Sequence, residues 1–174
     1  MSMVKIASSE ITSATSSVTL TGFTDDYDTY VVYLEKVVPV TDAVNIHIQF
    51  TASGVTQSGS NYDRAYLALY SGGTASSLSQ TTNAGFAILN AGDNVGSATY
   101  EDFNATVHIF NARSSAEYTL GFVEAVWGSD SNGVMGNIGG FGYKVAEVHD
   151  GVTFTFSASS NIESGKFSLY GFKN

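Results

Sequence analysis

Apolar and polar residues alternate along most of this chain, and turn-forming residues interrupt the alternation at short intervals. Val152, Phe154 and Phe156 alternate with threonines, and Phe167 and Leu169 alternate with polar residues near the end of the chain. A repeat of two residues places successive side chains on opposite faces of a β-strand. No window shows a sustained helical repeat, and at most one helical turn is predicted, within residues 8–16. The chain is therefore predicted to be all-β.

The predicted strands are short and are separated by clusters of Gly, Ser, Asn and Asp. They cover residues 18–23, 28–38, 44–50, 62–70, 85–89, 101–110, 118–127, 141–148, 152–157 and 166–172. Asp150 and Gly151, between two of these segments, form the dipeptide typical of a type I′ hairpin. About eight to ten short strands favour an antiparallel β-sandwich, most simply a jelly roll.

The chain length of 174 residues fits one domain with one core. We assign residues 16–174 to a single β-sandwich domain. Residues 1–15 are polar and weakly patterned, and they form a candidate N-terminal arm. Segments 53–61, 71–83 and 128–140 are rich in Gly, Ser, Thr and Asn and are predicted to be loops.

Charge and composition exclude several classes of function. The formal net charge is −9, and the seven basic residues are scattered singly along the chain. Such a chain lacks the basic stripe that neutralises phosphates and the basic cluster that binds anionic membranes. It has no cysteine, so a disulfide or a thiolate metal site is impossible. The start of the chain lacks the apolar core of a signal peptide, which predicts a protein made and assembled in a cytoplasm.

The three histidines do not form a recognisable catalytic or metal-binding motif. His47 and His108 each lie in the polar phase of an alternating strand. We expect both to face solvent or a partner. His149 precedes the Asp150-Gly151 turn. Neither a G-x-S-x-G elbow nor an H-E-x-x-H metal motif is present.

Several carboxylates lie on or beside predicted strands and could serve a glycosidase: Glu101, Asp102, Glu117 and Glu124. Glu124 interrupts an apolar run that ends at Trp127. If it were buried among aromatic rings, its raised pKa would suit a general acid. The simpler interpretation is that Glu124 faces solvent or another subunit.

Two acidic segments could bind calcium through oxygen ligands. Asp25, Asp26 and Asp28 lie at a strand entry, and residues 129–133 carry oxygen-bearing side chains at alternate positions. The second segment lacks the closing glutamate of an EF-hand. Turn formation alone is the favoured explanation of both segments, and the sequence leaves calcium binding open.

Tyrosine is more frequent than a sandwich core of this size needs. The notable positions are Tyr27, Tyr30, Tyr33, Tyr62, Tyr66, Tyr70 and Tyr170. Because tyrosine has an apolar ring and a polar tip, it suits subunit contacts and sugar-stacking surfaces. The alternative is that these rings belong to the core and to strand surfaces.

With these motifs the chain resembles a family of tailed-bacteriophage virion structural proteins. The resemblance rests on VTLTGF at 18–23, Tyr27-Asp28-x-Tyr30 before an apolar strand, Thr41-Asp42 before the strand ending at Phe50, the Gly54 loop leading to Asn61-Tyr62, and Asn161-Ile162-x-x-Gly165-x-Phe167-x-Leu169-Tyr170-Gly171. It implies a β-sandwich or jelly-roll decoration (cement) protein that binds the outside of a phage head as a homotrimer. Its expected partners are itself and the major capsid protein, without nucleic acid, membrane or cofactor. It supplies no catalytic, cofactor-binding or metal-binding residues.

Three other functions remain open at this point. A tail-fibre or receptor-binding module would use tyrosine-lined loops to hold a host surface glycan. A glycan-active enzyme would depend on Glu124. A bacterial adhesive or carbohydrate-binding module would normally carry a signal peptide. We expect a non-enzymatic protein on the capsid surface.

Overall fold

The computed structural model describes residues 2–129 and 133–173, with the side chains of residues 82–84 excepted. Thirteen strands and one 3₁₀ turn form this part of the chain. The strands are β1 (Ser2–Ile11), β2 (Val18–Thr21), β3 (Thr29–Pro39), β4 (Ile46–Ala52), β5 (Val55–Thr56), β6 (Tyr62–Tyr70), β7 (Ser76–Ala84), β8 (Ala87–Ile88), β9 (Phe103–Phe110), β10 (Thr119–Ser129), β11 (Gly133–Tyr143), β12 (Gly151–Phe156) and β13 (Ile162–Lys173). The 3₁₀ turn is Ser157–Ser159. No helix in these described segments is long and apolar enough to cross a membrane.

The strands form two sheets of unequal width. The large sheet has eight strands in the order β1-β13-β3-β9-β10-β11-β6-β7, and the small sheet has the order β2-β12-β4-β5, with β8 also paired to β4. Neighbouring strands pair antiparallel in both sheets. The predicted all-β antiparallel sandwich is therefore confirmed, while the jelly-roll topology stays a prediction.

The core lies between the two sheets and follows the alternation seen in the sequence. In β4, Ile46, Ile48 and Phe50 are fully buried, and β9 likewise buries every second residue. Phe154 of β12 packs against Phe167 of β13, with ring centroids 5.3 Å apart. Burying these rings and aliphatic side chains removes apolar surface from water, which is the main force holding the sheets together.

The N-terminal segment is a strand of the large sheet. Ser2–Ile11 pairs with β13 over most of its length and forms one edge of the sheet, so the helical turn predicted within residues 8–16 is wrong. Thr15 continues the attachment through two backbone hydrogen bonds with Ile162, of 2.7 and 3.0 Å. Any contact between the candidate arm, residues 1–15, and a neighbouring subunit would therefore be made at this edge of the large sheet.

Two of the predicted loops contain strands. Residues 71–83 contain most of β7, and residues 128–140 contain most of β11. The strand β7 is polar because it forms the outer edge of the sheet, where one face needs no apolar side chains. In β11, glycines take the place of the expected apolar residues, so the two-residue pattern is invisible in the sequence.

The region around Asp150 also differs from its prediction. The strand β11 ends at Tyr143, and β12 pairs with β2 and β4, so no type I′ hairpin connects residues 141–148 to β12. The Asp150 carboxylate instead accepts hydrogen bonds from the Thr51 hydroxyl and the Gly54 backbone N–H. Asp150 thus stabilises the turn between β4 and β5.

Candidate interaction surface

The outer face of the small sheet is polar and rich in threonine. The register places one set of side chains on this face: Thr19, Thr21, His47, Gln49, Thr51, Thr153 and Thr155. The hydroxyl of Thr153 is 2.9 Å from that of Thr19 and 3.3 Å from that of Thr56. Thr19 and Thr21 are exposed, whereas His47, Thr51 and Thr153 are buried. The face is polar and offers little apolar area to a partner.

The outer face of the large sheet has a different character. Four adjacent interior strands, β9, β10, β11 and β6, carry side chains in four aligned rows, which we call the central rows. The rows are Phe110-Leu120-Gly142-Asp63, His108-Phe122-Gly140-Ala65, Thr106-Glu124-Ile138-Leu67 and Asn104-Val126-Gly136-Leu69. In each row, successive residues belong to neighbouring strands.

Large apolar side chains on this surface are exposed to solvent. Leu67, Leu69, Leu120 and Val126 expose between 43% and 49% of their surface, and we use the name apolar face for the patch they form with Phe110 and Ile138. Phe110 and Leu120 are neighbours in one row, and Ile138 and Leu67 in another, on adjacent strands about 4.8 Å apart. Exposed apolar side chains gathered on one face often mark a contact surface, which makes the apolar face the strongest candidate for one.

Glu124 lies at the centre of the apolar face, between Thr106 and Ile138 in its row. Its side chain is exposed and is not buried among aromatic rings. The alternative interpretation of Glu124, a solvent-facing or subunit-facing residue, therefore agrees with the structure.

A shallow groove of about 520 Å³ runs beside the apolar face. Its floor includes Gly140 and Gly142, and Leu120 and Tyr118 form part of its wall. A Cβ atom at position 142 would approach the Leu120 side chain to 3.0 Å, so a larger residue there would fill part of the groove. Lys144 and Asp63 also line the groove, with Nζ and Oδ2 3.0 Å apart.

Two of the histidines occupy different surroundings from one another. His47 is only 7% exposed because the Phe86 ring stacks on it at 3.6 Å, so its expected exposure is wrong. Burial, assisted by the positive charge of Arg64, lowers the pKa of His47 from 6.5 to about 4. His108 is half-buried beside the apolar face and stacks on Phe110, as expected for a partner-facing residue.

His149 is fully buried between the sheets. Its Nδ1 is 2.8 Å from the Thr119 hydroxyl, and its Nε2 is 3.5 Å from the Glu147 carboxylate. Burial lowers the pKa of His149 to about 4, although the negative charge of Asp150 opposes the shift. The arrangement has the residue types of a hydrolase triad, but the Thr119 side chain is itself buried and closed to a substrate. These contacts hold the segment before β12 against the core.

The predicted acidic segments gain no support as calcium sites. The Arg113 Nε donates to Asp25 at 2.9 Å, and Asp26 contacts the Thr24 hydroxyl. Within residues 2–129 and 133–173, no group of three or more His, Cys, Asp or Glu side chains is placed to hold a metal ion. For the segment 129–133, residues 130–132 lie outside the described part.

The other candidate carboxylates form local contacts. The buried Glu101 accepts a hydrogen bond from the Ala98 backbone N–H at 3.0 Å. Asp102 accepts one from the Asn104 side chain, also at 3.0 Å. Glu117 is exposed in the loop before β10. The first two therefore stabilise turns that lead into β9.

The tyrosines divide between the core and the surface. Tyr30, Tyr62 and Tyr66 are buried, so for these three the core interpretation is correct. Tyr33 and Tyr170 pack edge-to-face at 5.6 Å on the outer side of the large sheet. Tyr118, which the sequence did not single out, is half exposed and lines the groove. Only the fold distinguishes these environments, because all these tyrosines lie within or beside strands.

Comparisons with known proteins add no relative of this chain. No family model matches it. Neither a curated protein nor a solved structure matches it. The resemblance to phage virion proteins therefore stays a prediction from sequence motifs, and the surfaces described above carry the functional inference.

Proposed function

We propose that this chain is a non-enzymatic structural protein of a tailed-phage particle, a decoration or cement protein on the outside of the head. The observation that carries the proposal is the difference between the two outer faces of the sandwich. One face exposes Leu67, Leu120 and Val126, whereas the opposite face is lined with threonines. Such a protein buries one face against neighbouring subunits and presents the other to water.

The charge of the chain suits an outer position. Particles that carry many chains with a net charge of −9 on their outside repel one another in solution. A decoration protein stabilises a shell through many symmetric, shape-matched contacts, and each contact can be weak because many copies act together. We propose a homotrimer that contacts the major capsid protein. The alternation of β1 to β4 between the two sheets supports the jelly-roll topology that the resemblance implies.

The test is the number of copies of this chain in each purified particle, measured by quantitative mass spectrometry against the major coat protein. Hundreds of copies are expected for a shell decoration. A handful, in multiples of three or six, would assign the protein to the tail instead. Absence from purified particles would overturn a virion function altogether.

A second candidate, a tail-fibre or receptor-binding module, has one observation in its favour. The half-exposed ring of Tyr118 lines the groove together with the Lys144–Asp63 ion pair. An aromatic ring beside charged hydrogen-bonding groups is a common arrangement for holding a sugar. Binding to host surface polysaccharide that is lost in Tyr118→Ala would favour this function. Equal binding by the wild type and Tyr118→Ala would count against the groove as a glycan site.

A further inference from the structure

We propose that a second copy of this chain covers the apolar face. This inference rests on the proposed function, because it assigns the apolar face to contact between subunits of the decoration protein. The evidence comes from the four aligned rows of side chains on β9, β10, β11 and β6. Three properties of this face support the proposal: its area, its charge and its shape.

The outer face of the large sheet is large enough for a stable contact between copies. Eight strands lie side by side, and three of the four rows continue in register onto β3 and β13. With strands about 4.8 Å apart and rows about 6.8 Å apart, the whole outer face of the large sheet measures about 34 Å by about 20 Å, or roughly 700 Å², and the apolar face on four strands covers about 300 Å² of it. Each partner in a standard protein interface contributes about 800 Å². A contact of standard size would therefore extend from the apolar face over the neighbouring strands.

The charge of the face also favours a second copy. The four central rows contain only two charged side chains, Glu124 and Asp63, and Asp63 is paired with Lys144 at 3.0 Å. Two copies with a net charge of −9 repel one another through most of their surface. At the apolar face this repulsion is weakest, while the gain from burying apolar surface is largest.

The face has a recessed half and a projecting half. On β11 and β6, one half of the face is recessed, where Gly140, Gly142 and Ala65 leave the groove. The other half projects, because Ile138 and Leu67 share one row and Leu69 lies in the next. In the proposed homotrimer, the projecting half of each copy would lie over the recess of the next copy around the ring.

The experiment measures the mass of the purified chain in solution, without any particle, by sedimentation velocity over a range of concentrations. Leu67→Glu introduces a charge into the projecting half, and Val55→Glu introduces the same charge at an apolar residue that is 63% exposed on β5 of the small sheet. We expect the wild type and Val55→Glu to form the same oligomer. Leu67→Glu should weaken association at least about tenfold, as expected when a charge enters an apolar contact.

A second variant keeps the test valid if Leu67→Glu does not fold. Ile138→Thr keeps a β-branched residue in the strand, so it should fold and still weaken association. Circular dichroism and thermal melting check that each variant retains the fold. A monomeric wild type at about 100 µM would overturn the inference, since subunit contacts of this size give affinities of µM or tighter. Equal association of Leu67→Glu and Val55→Glu would also overturn it.

The outcome separates this inference from the proposed function. A chain that is monomeric alone but present in hundreds of copies on particles would refute self-association and keep the decoration function. A chain that self-associates through the apolar face but is absent from particles would support self-association and refute the decoration function.

Discussion

The two buried histidines are the residues whose protonation matters most for folding. His149 lies with its ring 5.0 Å from Phe50 and 5.4 Å from Tyr143, and His47 lies beneath Phe86. In both cases burial lowers the pKa from 6.5 to about 4, so both side chains are neutral in the folded protein at pH 7. Protonation would place a positive charge among aromatic rings that cannot solvate it as water does.

We expect the free energy of unfolding to decrease as the pH falls from about 6.5 to about 4. In this window the unfolded chain binds protons at both histidines, whereas the folded chain does not, and stability therefore rises with pH. The stability contributed by each neutral histidine is fully present above its unfolded pKa, and at most about 3 kcal/mol per histidine is lost by the lower end of the window. Urea unfolding at a series of pH values measures this loss.

The variant His47→Gln isolates one of these contributions. Because His47 lies on the outer side of the small sheet, a glutamine can take its place with less disturbance than at His149 in the core. The loss of stability between pH 6.5 and pH 4 should be about half as large in His47→Gln as in the wild type. An unchanged pH dependence would show that His47 is protonated equally in the folded and unfolded states.

Among the elements, β11 lacks an alternating apolar pattern and nevertheless lies in the interior of the large sheet. It lies between β10 and β6 and contributes glycines where the neighbouring strands approach closely. A Cβ atom at Gly139 would lie 2.3 Å from the Ala65 carbonyl oxygen and 2.6 Å from the Tyr66 ring. At Gly140 the nearest atom, the Gly121 carbonyl oxygen, would be 3.6 Å away.

We therefore expect Gly139→Ala to destabilise the protein by about 1–3 kcal/mol, because the added methyl group forces the backbone of β6 to move. Gly140→Ala is the matched control on the same strand, and its methyl group meets only ordinary contacts. Thermal unfolding of both variants measures the difference. Equal melting temperatures would mean that β6 and β11 adjust to the methyl group at no cost.

The edges of the large sheet also bear on assembly. The strand β7 at one edge carries serine, threonine and glutamine, and β1 at the other carries Lys5 and Glu10. Polar and charged edge strands discourage pairing with the sheet of another molecule. The proposed contact between copies therefore uses the side chains of the apolar face and not backbone pairing at the two edges.

At the scale of the whole molecule, charge and apolar surface are separated. The chain carries a net charge of −9, while the four central rows of the apolar face contain only Glu124 and Asp63 as charged side chains. Association through this face must overcome a general repulsion between copies but depends on few charge pairs of its own. Screening by salt should therefore act mainly on the repulsion.

We expect self-association to strengthen when the NaCl concentration rises from about 20 mM to about 500 mM, because the Debye length falls well below the size of the molecule. Sedimentation velocity at several salt concentrations measures the association constant. Weaker association at high salt would instead indicate that opposite charges hold the copies together, contrary to a contact made by the apolar face.

The sequence alone determined the fold class and much of the core. Alternation at residues 44–50 and 152–157 predicts which side chains face inward, because a strand turns successive residues to opposite sides. The same rule identified Phe167 and Leu169 as buried. It failed for Ser76–Ala84 and Gly133–Tyr143, where a polar edge and a run of glycines remove the apolar signal.

Only the tertiary structure decided which apolar side chains stay exposed. Leu67, Leu120 and Val126 look like core residues in the sequence, since each is apolar and lies in a strand. Tyr66, Val123 and Trp127 on the same strands are the residues that face the small sheet. A strand with apolar residues on both faces does not reveal which face is covered, because that depends on where the second sheet ends. The small sheet covers one side of the large sheet, and the apolar face on the other side follows from the pairing of distant strands.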